Sequence, residues 1–129
     1  MMRVSYFFRN FAARFQNRYY NIKKFVIIMS TIIYPSPIFG PVNSRRLGVS
    51  LGINLMPSDG KVCSFDCLYC ECGFNADFRP HKKRPTREEV RTALEQVLAQ
   101  RKANNDPLDD MTFAGNGEPT GHPDFLGII

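Results

Sequence analysis

Long apolar runs, a second metal-binding knuckle and dispersed cysteines are all missing from this 129-residue chain. Each absence removes a class of reading. No stretch approaches the roughly 18–20 apolar residues of a membrane-spanning helix, so no membrane partner is expected. All four cysteines, Cys63, Cys67, Cys70 and Cys72, fall within ten residues. A disulfide framework ties distant segments together, because closing a longer loop removes more unfolded-state entropy. Bridges among such close neighbours would gain little and strain the loop. The cysteines therefore read as reduced, and a cytoplasmic location is expected. Only two histidines are present, His81 and His122, and neither carries ligand spacing. Acidic residues are absent from residues 1–28, which hold six basic ones. Residues 29–129 carry eleven basic against twelve acidic groups, so the net charge of +5 belongs to the head and says little about the partners of the body.

That head is rich in Arg, Phe and Tyr and has no cap or turn grammar. Its acid-free, Arg-rich composition resembles an organellar transit peptide, and Lys23-Lys24 before Phe25–Met29 resembles the start of a signal peptide. The apolar run is short, soon reaches Pro35 and Pro37, and lacks a small-residue cleavage site. Met29-Ser30-Thr31 reads as the natural start. Residues 1–28 are expected to be a basic extension, non-native or disordered, upstream of residues 29–129. A chain of this length with 43% hydrophobic residues holds at most one modest domain.

The body has a readable order. From Tyr34 to Asn43 the chain is expected to be a loop, with Pro35, Pro37, Gly40 and Pro41 breaking any ladder. Leu47, Val49, Leu51, Ile53 and Leu55 alternate with small or polar residues, the period of a strand with one buried face. Gly48 and Gly52 fall on its other face, where a backbone or ligand could approach. Met56-Pro-Ser-Asp-Gly60 turns into the cysteine loop, and a long polar loop, 71–85, follows. That loop contains the basic run His81-Lys-Lys-Arg84, read as a solvated segment with an anionic substrate as the alternative. Thr86-Arg-Glu-Glu89 is a capping box. Val90, Ala93, Leu94, Val97 and Leu98 then form the stripe of an amphipathic helix. Burial of that stripe does not outweigh the cost of ordering the backbone unless the helix packs on a sheet. Asn104-Asn-Asp-Pro107 ends the helix, Met111–Ala114 is a short strand, and Pro123–Ile129 begins a further helix. The order is one βαβ crossover with two parallel strands.

The chemistry concentrates in Cys63-Ser-Phe-Asp-Cys67-Leu-Tyr-Cys70. Three thiolates on one short loop suit an iron–sulfur cluster, copper(I) or zinc, whereas hard cations prefer oxygen. Structural zinc sites draw on two separated knuckles, and here there is one. Local spacing favours iron–sulfur over zinc and leaves zinc, with Cys72 as fourth ligand, as the rival. A cubane has four irons, so three protein ligands leave one open. Gly115-Asn-Gly-Glu-Pro119 follows the second strand as the cysteine loop follows the first. Its glycines would let backbone approach a ligand, and Glu118 offers an acceptor for an ammonium group.

With both motifs in place, residues 30–129 resemble the radical S-adenosylmethionine (radical SAM) superfamily. Cys63-x3-Cys67-x-Tyr69-Cys70 is similar to its cluster motif. Gly115-Asn116-Gly117-Glu118-Pro119 is similar to its GGEP motif, with Asn116 in place of the second glycine. Phe39–Gly48 resembles the lead-in of a subgroup of uncharacterised iron–sulfur oxidoreductases. The resemblance implies that Cys63, Cys67 and Cys70 ligate a [4Fe–4S] cluster whose fourth iron chelates S-adenosyl-L-methionine. It implies that Gly115–Pro119 line the methionine end and Tyr69 the adenine region. It implies reductive cleavage to a 5′-deoxyadenosyl radical that abstracts hydrogen from a substrate, with flavodoxin or ferredoxin as electron donor and RNA or another enzyme as candidate substrate. Cys72 departs from the motif and reads as a non-ligand; a plain electron-transfer protein is a further alternative. The implied fold is α/β, a partial parallel (β/α)6 barrel of which this chain supplies the first third. It is expected to be a fragment, inactive alone.

Overall fold

The computed structural model describes residues 31–76 and 79–129. The expected extension, residues 1–28, lies outside the described residues. Gly40 and Pro41 argue against a strand, yet Ile38–Ser44 forms one, β1. It pairs antiparallel with β2, Gly48–Ile53, which pairs in parallel with β3, Asp110–Phe113. The order across the sheet is β1-β2-β3. Pro41 is accommodated because the register slips between Phe39 and Val42. At such a bulge on an edge strand the missing N–H costs no ladder bond. The Ser44 hydroxyl accepts from the N–H groups of Arg46 and Leu47, both at 3.2 Å, and so shapes the turn into β2.

This edge strand corrects the expected architecture. The described residues form a small domain with a three-stranded mixed sheet and two helices, not the opening of a parallel (β/α)6 barrel. The physical cause lies in the segment read as a loop. Pro35 and Pro37 precede the strand, Gly40 and Pro41 fall at its bulge, and the rest of the segment pairs with β2 as a hairpin. The parallel pairing of β2 with β3, by contrast, follows the order read from the sequence.

The crossover between those two strands carries α1, Arg87–Asn104. Both arms of the capping box form: the Thr86 side chain accepts from the Glu89 N–H, and the Glu89 carboxylate accepts from the Thr86 N–H at 2.6 Å. Asn105 ends the helix in the left-handed conformation, which asparagine tolerates better than most residues. Val90 is buried beneath the helix and Ala93, Leu94, Val97 and Leu98 are half-buried. Ile53, Leu55 and Val90 form the core cluster, with Ile38, Phe113, Phe125 and Ile128 packed against it. The short helix α2, Phe125–Ile128, is held to α1 by a two-point ion pair from Arg87 to Asp124, at 2.8 and 2.7 Å. Phe113 and Phe125 meet edge to face, centroids 5.6 Å apart.

The opposite face of the sheet is more polar. The Ser50 and Thr112 hydroxyls share a hydrogen bond of 3.0 Å. Gly52 leaves a gap there, and the Phe39 ring fills it, so that any Cβ at Gly52 would strike the ring. The space that the sequence left to a backbone or ligand is taken by the chain's own aromatic.

Candidate metal centre

Beyond β2 the chain stays buried through Asn54, Leu55, Met56 and Pro57 before it rises into the cysteine loop. Cys63, Cys67 and Cys70 are half-buried free thiols on this irregular segment. Two successive turns shape its far side, with Cys70 N–H donating to Cys67 O and Gly73 N–H to Cys70 O, both at 3.2 Å. The Phe65 N–H donates to Cys63 Sγ at 3.4 Å. A charged and an amide side chain fasten the loop from below. Lys61 Nζ donates to Gly73 O at 2.8 Å and reaches Asp66 Oδ1 at 3.5 Å. Asn75 Nδ2 donates to Cys63 O at 2.9 Å and Phe65 O at 3.2 Å, and Asn75 N–H donates to Asp66 Oδ1 at 2.9 Å.

The donor set fits a thiolate-ligated cluster: three soft sulfurs on one loop, a backbone N–H already directed at one of them, and a buried ammonium alongside. The three thiols are carried by the same loop, but they are not drawn together. Among the described residues no three His, Cys, Asp or Glu side chains form a group that could hold a metal ion. Between them in the chain, Phe65, Leu68 and Tyr69 are 59%, 64% and 87% exposed. The neighbouring Cys67 sulfur pushes the Tyr69 phenol above its ordinary value.

Cys72 stands apart from the other three. It is buried, and its thiol donates to Gly115 O at 3.3 Å. Burial, together with neighbouring Cys70, pushes its pKa up to about 11. Its thiol is thus built into the fold, committed to the Gly115 carbonyl and away from the half-buried three.

The turn after β3 presses against the same region. Gly115 and Gly117 have φ of +136° and +148°, and a Cβ would collide with the Asn54 side chain at the first and the Val62 carbonyl at the second. Their freedom is used for contact with the chain itself. Asn116 is fully buried. Its Oδ1 accepts from Tyr34 N–H at 2.7 Å, and its Nδ2 donates to Tyr34 O at 2.8 Å and Pro57 O at 2.7 Å. The side chain of Asn116 thus holds the loop rather than facing a ligand. Glu118 Oε1 accepts from Thr120 N–H at 3.2 Å and from the Thr120 hydroxyl at 2.9 Å, which caps the 3-10 turn begun by Pro119. His122 is buried, with Nδ1 accepting from Asp124 N–H at 3.1 Å; that leaves Nε2–H to donate to Pro85 O at 2.8 Å. It is a structural pin between two loops.

Two cavities flank the site. One of about 380 Å³ lies on the polar face of the sheet, with Phe39, Ser50, Thr112, Cys70, Cys72 and Gly115 among its walls. The other, about 560 Å³, has Lys82, Lys83, Arg84 and Arg87 on its rim and His122 beneath. Asp59 helps shape the rim. Desolvation opposes its charge, but the N–H donors of His81 and Lys82 outweigh it and hold the carboxyl below the ordinary value.

No family model matches the chain, and no solved structure matches it. Curated relatives do. The chain is 40% identical over 97 residues to a protein of Helicobacter pylori, across 74% of this chain and 30% of that protein. It is 42% identical over 83 residues to a protein of Methanocaldococcus jannaschii, across 64% of this chain and 25% of that one. Both are named UPF0026 proteins. A protein of Brachyspira hyodysenteriae named GTPase Obg is 39% identical over 93 residues, which cover 71% of this chain and only 13% of it. The chain thus spans about 30% or less of the length of these relatives. It contains no Gly-x4-Gly-Lys-Ser/Thr phosphate loop of its own.

The shared UPF0026 name corrects the expectation of a radical SAM superfamily member. An eight-residue cysteine loop and a five-residue turn are local features. They speak to ligand chemistry, and superfamily membership does not follow from them.

Several residues of this site gave no motif signal. Lys61, Asp66 and Asn75 fasten the cysteine loop, and Asn54, with no exposure, bonds Tyr34 O, Pro35 O and the N–H groups of Met56 and Asn116. In sequence a lysine or asparagine reads as surface. The available cue for Lys61 was its position two residues before Cys63.

Proposed function

We propose that Cys63, Cys67 and Cys70 hold a [4Fe–4S] cluster with one open iron, and that S-adenosyl-L-methionine binds there. The observation that carries this reading is the division among the cysteines: three half-buried thiols share one loop, while Cys72 is locked in the fold as a neutral thiol. That division disfavours a four-thiolate zinc site, which needs Cys72 as a ligand. A cluster held by Cys63, Cys67 and Cys70 would supply one-electron reduction of the sulfonium, the chemistry that releases methionine and a 5′-deoxyadenosyl radical. A flavodoxin or ferredoxin is the matching class of donor. The chain's own residues do the rest. Lys61 and Asn75 fix the loop. Phe65, Leu68 and Tyr69 supply apolar cover against water. Thr120 orients the Glu118 carboxylate, whose charge suits the methionine ammonium.

Anaerobic reconstitution followed by low-temperature EPR of the reduced protein tests this. The expected result is a reduced-cluster signal that changes when S-adenosyl-L-methionine is added. Iron content should fall in Cys63→Ala, Cys67→Ala and Cys70→Ala and hold in Cys72→Ala. A spectrum indifferent to S-adenosyl-L-methionine would leave an electron carrier. Zinc bound through Cys72 would overturn the proposal entirely.

A further inference from the structure

The side chain of Lys61 is 1% exposed, an unusual place for an ammonium. A buried charge is costly unless paired and hydrogen-bonded. Its pairing is incomplete: one full-length bond goes to a neutral carbonyl, Gly73 O at 2.8 Å, and Asp66 stands at 3.5 Å with its side chain 51% exposed. A half-solvated carboxylate at that distance neutralises only part of the charge. What remains of the charge is held inside the cysteine loop, between Gly73 O and Asp66.

The contacts of Lys61 bracket the cysteine triplet. Asp66 sits between Cys63 and Cys67, and Gly73 follows Cys70 by three residues. Asp66 passes the connection on to Asn75, which returns to Cys63 O. One ammonium therefore joins the entry of the loop to its exit.

We propose that Lys61 is a positioning residue: its buried ammonium clamps the cysteine loop and favours the more negative, reduced state of a cluster held there. The electrostatic half rests on the cluster reading above; the clamp does not. Three thiolates already give such a site negative charge and reduction adds one electron, so an adjacent fixed cation stabilises the reduced form.

Two measurements separate the halves. In the full chain without metal, the alkylation rates of Cys63, Cys67 and Cys70 are followed by mass spectrometry. Lys61→Met and, as a variant on an exposed side chain that spares the fold, Asp66→Ala are expected to speed alkylation roughly tenfold, with unchanged circular dichroism. Rates equal to the parent in both variants would overturn the clamp. In reconstituted protein, EPR-monitored redox titration is expected to show the reduced fraction of Lys61→Met falling roughly tenfold at fixed potential. Lys61→Arg, which keeps the charge, restores most of it. A potential unmoved by Lys61→Met would overturn the electrostatic role. If the parent chain takes up no cluster, the cluster reading and the electrostatic role fail together, and the alkylation result still decides the clamp.

Discussion

Four cysteines of one residue type divide by environment. Cys63, Cys67 and Cys70 stand at half-exposure on a loop, whereas Cys72 is 4% exposed and hydrogen-bonded to Gly115 O. Its pKa of about 11 stands two units above the ordinary 9.0, so near neutral pH its thiolate fraction is about a hundredfold below that of an ordinary thiol. Cys72 is therefore expected to be alkylated last of the four, with a rate that climbs as pH approaches about 11. Mass spectrometry of partially alkylated protein reads this directly, and equal rates at all four positions would refute it. The same shift has a stability consequence. A pKa raised on folding stabilises the protein below the unfolded value and loses that contribution as pH rises through the folded one, here from 9.0 to about 11. Tyr34, pushed from 10.0 to about 12 by burial and by its bond to Glu71, has the same sign. Both act against the fold in alkali.

At the scale of elements, α1 rests on a cap that its sequence spells out. Thr86 and Glu89 satisfy each other's N–H groups, and Thr86→Ala is expected to cost about 1 kcal/mol in urea unfolding. The Thr86 N–H and hydroxyl hold the Glu89 carboxyl below its ordinary value of 4.5. A depressed carboxyl stabilises above the unfolded value and loses that contribution as pH falls through the folded one. Fraying of the helix start is therefore expected below about pH 4.5; Glu89→Gln, which removes the titrating group, should abolish that pH dependence, whereas Thr86→Ala keeps the N–H donor and should only reduce it. If Glu89→Gln shows the same acid profile as the parent, the cap is not its source. This helix, with β2 and β3, was legible because periodicity and capping are local properties of a sequence. The strand β1 was not, because Gly40 and Pro41 are loop-forming by local rules and only pairing with β2 makes the bulge worthwhile. Nor was the site's undercarriage. Asn54, Lys61 and Asn116 are polar residues whose burial depends on partners far along the chain, such as Tyr34 with Asn116. The cysteine triplet, by contrast, was visible in the sequence as one short loop, and one loop carries it.

For the molecule as a whole, the sheet has two faces with different duties. Ile53, Leu55 and Val90 make the apolar core with α1, while the other face carries Ser50, Thr112 and the cavity that reaches Cys70 and Cys72. The core is small, and domains of this size are stable by roughly 5–15 kcal/mol. Leu55 is 1% exposed and sits between the end of β2 and the cysteine loop. Leu55→Ala is expected to cost about 2–5 kcal/mol, a large share of the total. Leu98 belongs instead to the helix stripe and is only half-buried on α1. Less of its side chain leaves water, so Leu98→Ala should cost distinctly less. Urea unfolding of the two variants ranks them. Equal losses would mean that the stripe of α1, rather than the junction of β2 with the cysteine loop, carries the weight. The predicted order instead ties the stability of the domain to the segment that presents Cys63, Cys67 and Cys70. Leu55→Ala should then also loosen those thiols towards alkylation, and Leu98→Ala should leave them as they are.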